Sequence, residues 1–161
     1  MTCIIAHTLG WMVADCSVTI GNDKFYTNDK IITLPHILIG TSGSAADAQQ
    51  LHDAVKEAPL ESITIRWLKN WLRAFKDNEL TLLVVTKTEL VMLCHKGGEY
   101  IPPLSLAFYS IGAGADIVLG YLSKVALEKH VEQDDANNAI ILTASLINGV
   151  SPQCTFAQLA R

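Results

Sequence analysis

Threonine at position 2, aspartate at 15 and lysine at 30 are the residues of this sequence whose types and spacing can do chemistry together. A threonine hydroxyl attacks a carbonyl only when a base takes its proton. The α-amino group of the same residue can be that base if the chain begins at the threonine. That amine has a reference pKa of about 7.7 to 8.0, so a useful fraction is neutral near physiological pH. Removal of Met1 ahead of a small side chain would place nucleophile and base on one residue, Thr2. A buried lysine nearby would favour the ionised hydroxyl and depress the amine through like-charge repulsion, and a carboxylate would hold that lysine charged. Asp15 ends the strand expected to pair with the first one, and Lys30 opens KIITL, an apolar run in which a lysine needs a reason. Plainer readings stand beside these. A small second residue is common at the start of a chain, and buried ions are found paired whether or not they act.

Other side chains point to packing. Cys3 does not share the logic of Thr2, because only a terminal cysteine carries its own amine, and a thiol packed in a strand is the commoner use. Cys3, Cys16, Cys94 and Cys154 form no C-x-x-C pair, and three of them sit in apolar runs. That usage reads as reduced core cysteines of a cytoplasmic protein, not as a disulfide framework. His7, His36, His52, His95 and His130 lack ligand spacing, so no metal is expected. Gly112-x-Gly114 is not a dinucleotide fingerprint, since position 117 is Ile and no parallel β-α-β unit surrounds it, and no cofactor is expected. Trp67, Trp71 and Phe75 read as helix core or a subunit contact, and Asp47 as an acid in a first helical turn.

These residues must be positioned by the elements around them. TCIIAHT and GWMVADCS are short β-rich runs joined by Leu9-Gly10, which makes a hairpin, and SVTIGN, KFYTNDKIITL and HILIGTSG continue in strand-sized pieces. The pattern changes at Ser44, a natural N-cap. Ala45, Ala48, Leu51 and Val55 then share one helical face. A second helix over ESITIRWLKNWLRAFKD places Ile63, Trp67 and Trp71 in a stripe widened by Leu68, Leu72 and Phe75. Strands return at ELTLLVVTKTELVMLCHKGGEYI, with turns at Lys87-Thr88 and Lys96-Gly97-Gly98, and at SLAFYSIGAG. A second helical pair follows. Its first member sets Ile117, Tyr121, Val125 and Leu127 largely on one side, and its second, DDANNAIILTASLING, opens with acids suited to a helix N-terminus. PQCTFAQL closes as a strand. Runs of strands alternating with runs of helices argue for α+β, with two helical pairs covering the outer faces of two antiparallel sheets.

Composition narrows the function classes. The 161 residues suit a single domain over 1–161, and with 50% hydrophobic and 17% charged residues the chain is globular. A net charge of −4 with both signs interspersed leaves no footprint for nucleic acid or an anionic membrane. No run of about 18 apolar residues and no secretory signal pattern occurs, so no membrane partner and a cytoplasmic location are expected.

With these motifs in order, the chain resembles the proteasome β-subunits and the bacterial HslV protease, which are N-terminal nucleophile (Ntn) hydrolases. The resemblance covers nearly the whole chain. It rests on Thr2, on VADCSVTIG with Asp15, Thr19 and Gly21, on Lys30 in KIITL, on the strand-to-helix junction TSGSAADA with Gly43, and on SIGAGAD. It implies a four-layer αββα sandwich and amide-bond hydrolysis by a threonine peptidase. Thr2 would be the nucleophile, Lys30 the positive charge beside it, Asp15 the group that orients Lys30, and the Gly43 N–H the oxyanion donor. A protein or peptide substrate would lie as an added strand along the backbone around Thr19 and from Thr41 to Ala45. The resemblance also implies a homo-oligomeric ring and an ATP-dependent unfoldase that feeds it. Because the first strand begins at residue 2, no long propeptide is expected and autocatalytic processing is not required.

The chain departs from that pattern at three positions. Ala113 stands where the family commonly has serine, Ser145 where it has aspartate, and Asn148 near another serine. The changes at Ala113 and Ser145 keep open a non-catalytic, proteasome-like ring or interaction subunit, and a small-substrate amidohydrolase of the same superfamily is a third reading.

Overall fold

The computed structural model describes residues 2–20, 23–27, 30–75, 79–94, 98–102 and 106–160, with backbone alone over 19, 20 and 23–26. Met1, Gly21, the Asn28-Asp29 break, His95 and the Lys96-Gly97 turn lie outside the described residues. Six strands come first: β1 (Cys3–His7), β2 (Trp11–Asp15), β3 (Ser17–Ile20), β4 (Asp23–Tyr26), β5 (Ile31–Leu34) and β6 (Ile37–Ser42). Helices α1 (Ala45–Glu57) and α2 (Ile65–Ala74) follow, then β7 (Thr81–Thr86), β8 (Leu90–Cys94), β9 (Gly98–Tyr100) and β10 (Phe108–Gly112). Helices α3 (Ala115–Ala126) and α4 (Gln133–Leu146) and strand β11 (Cys154–Gln158) complete the order. Among the described residues the alternation expected from sequence is the one observed.

The strands form two antiparallel sheets, ordered β10-β1-β2-β11 and β5-β6-β7-β8-β9, with β3-β4 as a separate two-stranded ribbon. Successive strand residues point to opposite faces, so each sheet has two sides to bury. Ile4, Ala6, Met12 and Ala14 of the first sheet meet Leu38, Leu83 and Val85 of the second. On the other side of the first sheet, Cys3, Ile5, Trp11 and Val13 pack on Val118 and Leu122 of α3 and on Ala136, Ala139 and Ile140 of α4. On the other side of the second, Ile37, Ile39, Leu82 and Val84 pack on Leu51 and Val55 of α1 and on Leu68 and Leu72 of α2. The result is the four-layer αββα arrangement. The central strands β1, β2, β6 and β7 are covered on both faces, which is why they read as nearly unbroken apolar runs, while the edge strands β9 and β11 stay partly open.

Gly40 sets how closely the two sheets meet. A Cβ there would stand 2.8 Å from both Ile4 Cγ2 and Met12 Sδ, so only glycine lets β6 lie this close to β1 and β2. That approach brings the ends of β1, β2 and β6 toward one another.

Helix boundaries and faces show where local periodicity is overridden. Ser44 caps α1 as expected, its Oγ accepting from Asp47 N at 3.3 Å, and Leu51 and Val55 are buried, whereas Ala45 is exposed. The α2 stripe differs. A 3₁₀ turn over Leu60–Ser62 precedes the helix, which starts at Ile65 because Thr64 Oγ1 caps Trp67 N at 3.1 Å. Ile63 is therefore buried from the connection, and Leu68 and Leu72 form the buried line with Trp67 and Trp71 half-buried beside it. In α3 the buried line is Val118 and Leu122, flanked by Ile117, Tyr121 and Val125. Leu127 is 88% exposed because the helix has ended at Ala126. The acids at the start of α4 form a capping box, Glu132 N donating to Asp135 Oδ2 at 3.0 Å.

Candidate active site

Strand β2 delivers Asp15, fully buried, to the end of the first sheet. Its two carboxylate oxygens do different things. Oδ1 accepts from Lys30 Nζ at 2.7 Å and from Cys3 N at 2.8 Å. Oδ2 accepts from Ser17 N at 3.2 Å and Ser151 N at 3.1 Å and lies 2.7 Å from Ser17 Oγ. An ionised carboxylate can stay in an apolar interior only when paired and hydrogen-bonded, and this one has both.

Lys30 ends the connection into β5 and is 4% exposed. Burial pushes its pKa below the usual lysine value, and the Asp15 charge and hydrogen bond act the other way. Asp15 is thus what holds the ammonium charged in a place that disfavours charge. The same Asp15 oxygen binds the amide that directly follows Thr2. The Lys30 ammonium and the Thr2-Cys3 peptide are therefore neighbours, one hydrogen bond each from a shared atom. Thr2 is half-buried, and its carbonyl accepts from Ala113 N at 2.8 Å, at the corner where β10 turns into α3. The peptide between Thr2 and Cys3 is gripped from both sides.

Strand β6 brings up the junction residues. Thr41 N donates to Lys30 O at 2.9 Å, which fastens the β6 end to the backbone of the lysine. Two residues on, Gly43 has φ +129°, and a Cβ there would stand 2.1 Å from Glu79 O. Glu79 N in turn donates to Asp47 Oδ2 at 3.1 Å, so the first turn of α1 steadies the strand end on which Gly43 lies. Asp47 does more than complement a helix terminus. Ala45 is exposed at the start of α1, Thr41 is buried, and the Thr19 backbone pairs with Lys24 in the ribbon. The Thr19 side chain lies outside what is described.

Sequence reasoning missed Ser17, Gly149, Ser151 and the backbone of Ala113. Ser17 carries a local signal, since an Asp whose side chain binds the N–H two residues on is an Asx-type turn. Ser151 is 136 residues from Asp15, and nothing local marks it. Ser145, at the position where the resemblance places an aspartate, is exposed and donates its hydroxyl to Leu142 O of its own helix at 2.7 Å. Cys3 is core-facing, its thiol pushed up to about 12 by burial and then by the Asp15 charge, which leaves no reactive thiolate. Among the described residues no disulfide links the cysteines, no His/Cys/Asp/Glu group could hold a metal, and no helix is long and apolar enough to cross a membrane.

Several solved structures share this fold along their length. Thiobacillus denitrificans BPH in complex with epoxomicin is 13% identical, with 100% of both chains covered and a TM-score of 0.77. Eukaryotic HslV from Trypanosoma brucei is 19% identical, with 100% of both chains covered and a TM-score of 0.75. The Anbu (Gly-1) mutant from Hyphomicrobium sp. strain MC1 is 16% identical over 100% of this chain and 82% of that one, with a TM-score of 0.77. No protein-family profile and no curated protein sequence matches the chain. The fold is that of the HslV-like, proteasome-like Ntn hydrolases.

Proposed function

We propose that this chain is a threonine peptidase subunit, hydrolysing peptide bonds with Thr2 as an N-terminal nucleophile inside a ring of its own copies. The observation that carries the reading is the shared Asp15 oxygen, which sets the Lys30 ammonium beside the peptide that follows Thr2. With Met1 removed, the free amine of Thr2 takes the hydroxyl proton as Oγ1 attacks the substrate carbonyl. The same amine returns that proton to the leaving nitrogen. Lys30 stabilises the developing alkoxide, and the Gly43 N–H faces the tetrahedral oxyanion. Water then hydrolyses the ester on Thr2, and the amine again serves as base. Protein or peptide substrate pairs with the backbone from Thr41 to Ala45 and near Thr19, and an ATP-dependent unfoldase supplies it.

Intact mass spectrometry after incubation with an epoxyketone peptide such as epoxomicin tests this. The expected result is a chain lacking Met1 that carries one adduct, with no adduct on Thr2→Ala. A chain that retains Met1 and takes no adduct overturns the assignment. A second reading, a non-catalytic ring subunit, is favoured by one observation. Ala113 has no hydroxyl, and that of Ser145 is committed to its own helix, so neither supports Thr2 through a side chain.

A further inference from the structure

We infer that Ser17 is the positioning residue that aims Asp15 at Lys30 and at the Thr2-Cys3 peptide, an inference that rests on the nucleophile assignment above. Ser17 is fully buried at the start of β3, just past the end of β2. Its Oγ lies 2.7 Å from Asp15 Oδ2 and 2.5 Å from Gly149 O. A hydroxyl has one proton, so at any instant it donates to one of these oxygens while remaining in contact with the other. In either state it ties the carboxylate to the turn that precedes β11. Ser17 N also donates to Oδ2, and Ser151 N, two residues beyond Gly149, donates to the same oxygen. These contacts on Oδ2 come from Ser17 itself or from the turn that Ser17 holds.

The carboxylate is planar and turns about its Cβ–Cγ bond. Fixing Oδ2 fixes Oδ1, the atom that binds both Lys30 Nζ and Cys3 N. With the hydroxyl removed, Gly149 O loses its contact with Ser17, Oδ2 keeps only backbone N–H partners from Ser17 and Ser151, and the carboxylate gains freedom to swing. Lys30 then follows it away from Thr2. Neither Ala113 nor Ser145 offers a hydroxyl that could take over.

The test measures peptide hydrolysis by the parent chain, Ser17→Ala and Ser17→Thr, with active sites counted by epoxyketone titration. Misplacing a catalytic group by a fraction of an ångström lowers turnover, so kcat per titrated site is expected to fall about 10- to 100-fold in Ser17→Ala with KM nearly unchanged. Ser17→Thr keeps the hydroxyl and is expected to restore most of kcat. If Ser17 only stabilised the fold, the alanine variant would show fewer titratable sites and a lower Tm with unchanged kcat per site, and that result overturns the inference. A threonine variant as impaired as alanine also overturns it. Should Ser17→Ala fail to fold, Ser17→Cys keeps the volume while weakening the donor, and unchanged kcat per site there is equally decisive against it. A parent chain that takes no adduct overturns the nucleophile assignment and this inference together, whereas adduct formation with unaltered kcat in Ser17→Ala overturns this inference alone.

Discussion

Lys30 and Asp15 make the clearest predictions at the scale of single residues. Removing one partner of a buried pair leaves the other charge uncompensated. Lys30→Ala is therefore expected to destabilise the chain by about 3–5 kcal/mol in chemical denaturation and, where still folded, to lose epoxyketone labelling. His7 gives a pH prediction. It is buried, stacked on Trp11 at 4.8 Å, and its Nδ1 accepts from Leu9 N at 3.0 Å, so protonation there would break that bond. Burial, and then the charge of His130, lower its pKa from 6.5 to about 4. Between those values the unfolded chain holds a proton that the folded chain does not, so stability falls as pH falls. The contribution is fully present above about pH 6.5 and lost by about pH 4, on the order of 3 kcal/mol. Denaturation midpoints measured across that window should show the slope in the parent and a flatter response in His7→Asn.

At the scale of elements, the site depends on how strand ends are held. The junction between β6 and α1 is steadied by the Ser44 cap and by the bond from Glu79 N to Asp47. Gly43 sits in that junction with a positive φ, where a Cβ would stand 2.1 Å from Glu79 O. In Gly43→Ala the added methyl meets a backbone carbonyl, so the strand end must shift and the proposed oxyanion N–H with it. Labelling by the epoxyketone is expected to slow at least about 10-fold while the cooperative unfolding transition is retained. Unaltered labelling would remove Gly43 from the proposed site.

At the scale of the whole molecule, assembly is the property that follows from the proposed function. Trp67 and Trp71 on α2 and Phe75 at its C-cap lie half-buried, with Trp71 and Phe75 stacked at 5.3 Å. Aromatic groups partly open to solvent are the kind that anchor contacts between subunits. Sedimentation velocity at micromolar concentration is expected to show a closed oligomer in the parent and smaller species in Trp71→Glu. A monomeric parent would remove the ring from the proposal.

The sequence by itself determined the alternation of strands and helices, because hydrophobic period, cap residues and turn residues act within a few positions of one another. It also marked Thr2, Asp15 and Lys30 by residue type and spacing, a lysine in an apolar run being locally anomalous, whereas Gly43 came only from the resemblance of the TSGSAADA junction. Only the tertiary structure decided which helical faces are buried. Val118 and Leu122 of α3 are selected by the sheet beneath them, and the start of α2 is moved by the preceding turn. It alone supplied the contacts around Asp15 as well. Ser151 N and Gly149 O reach the carboxylate and Ser17 from a turn more than a hundred residues away, and Ala113 meets Thr2 across the β1-β10 pairing. Such partners are backbone groups that every residue carries. No side-chain type announces them, and they become specific only when the fold brings distant segments to one place.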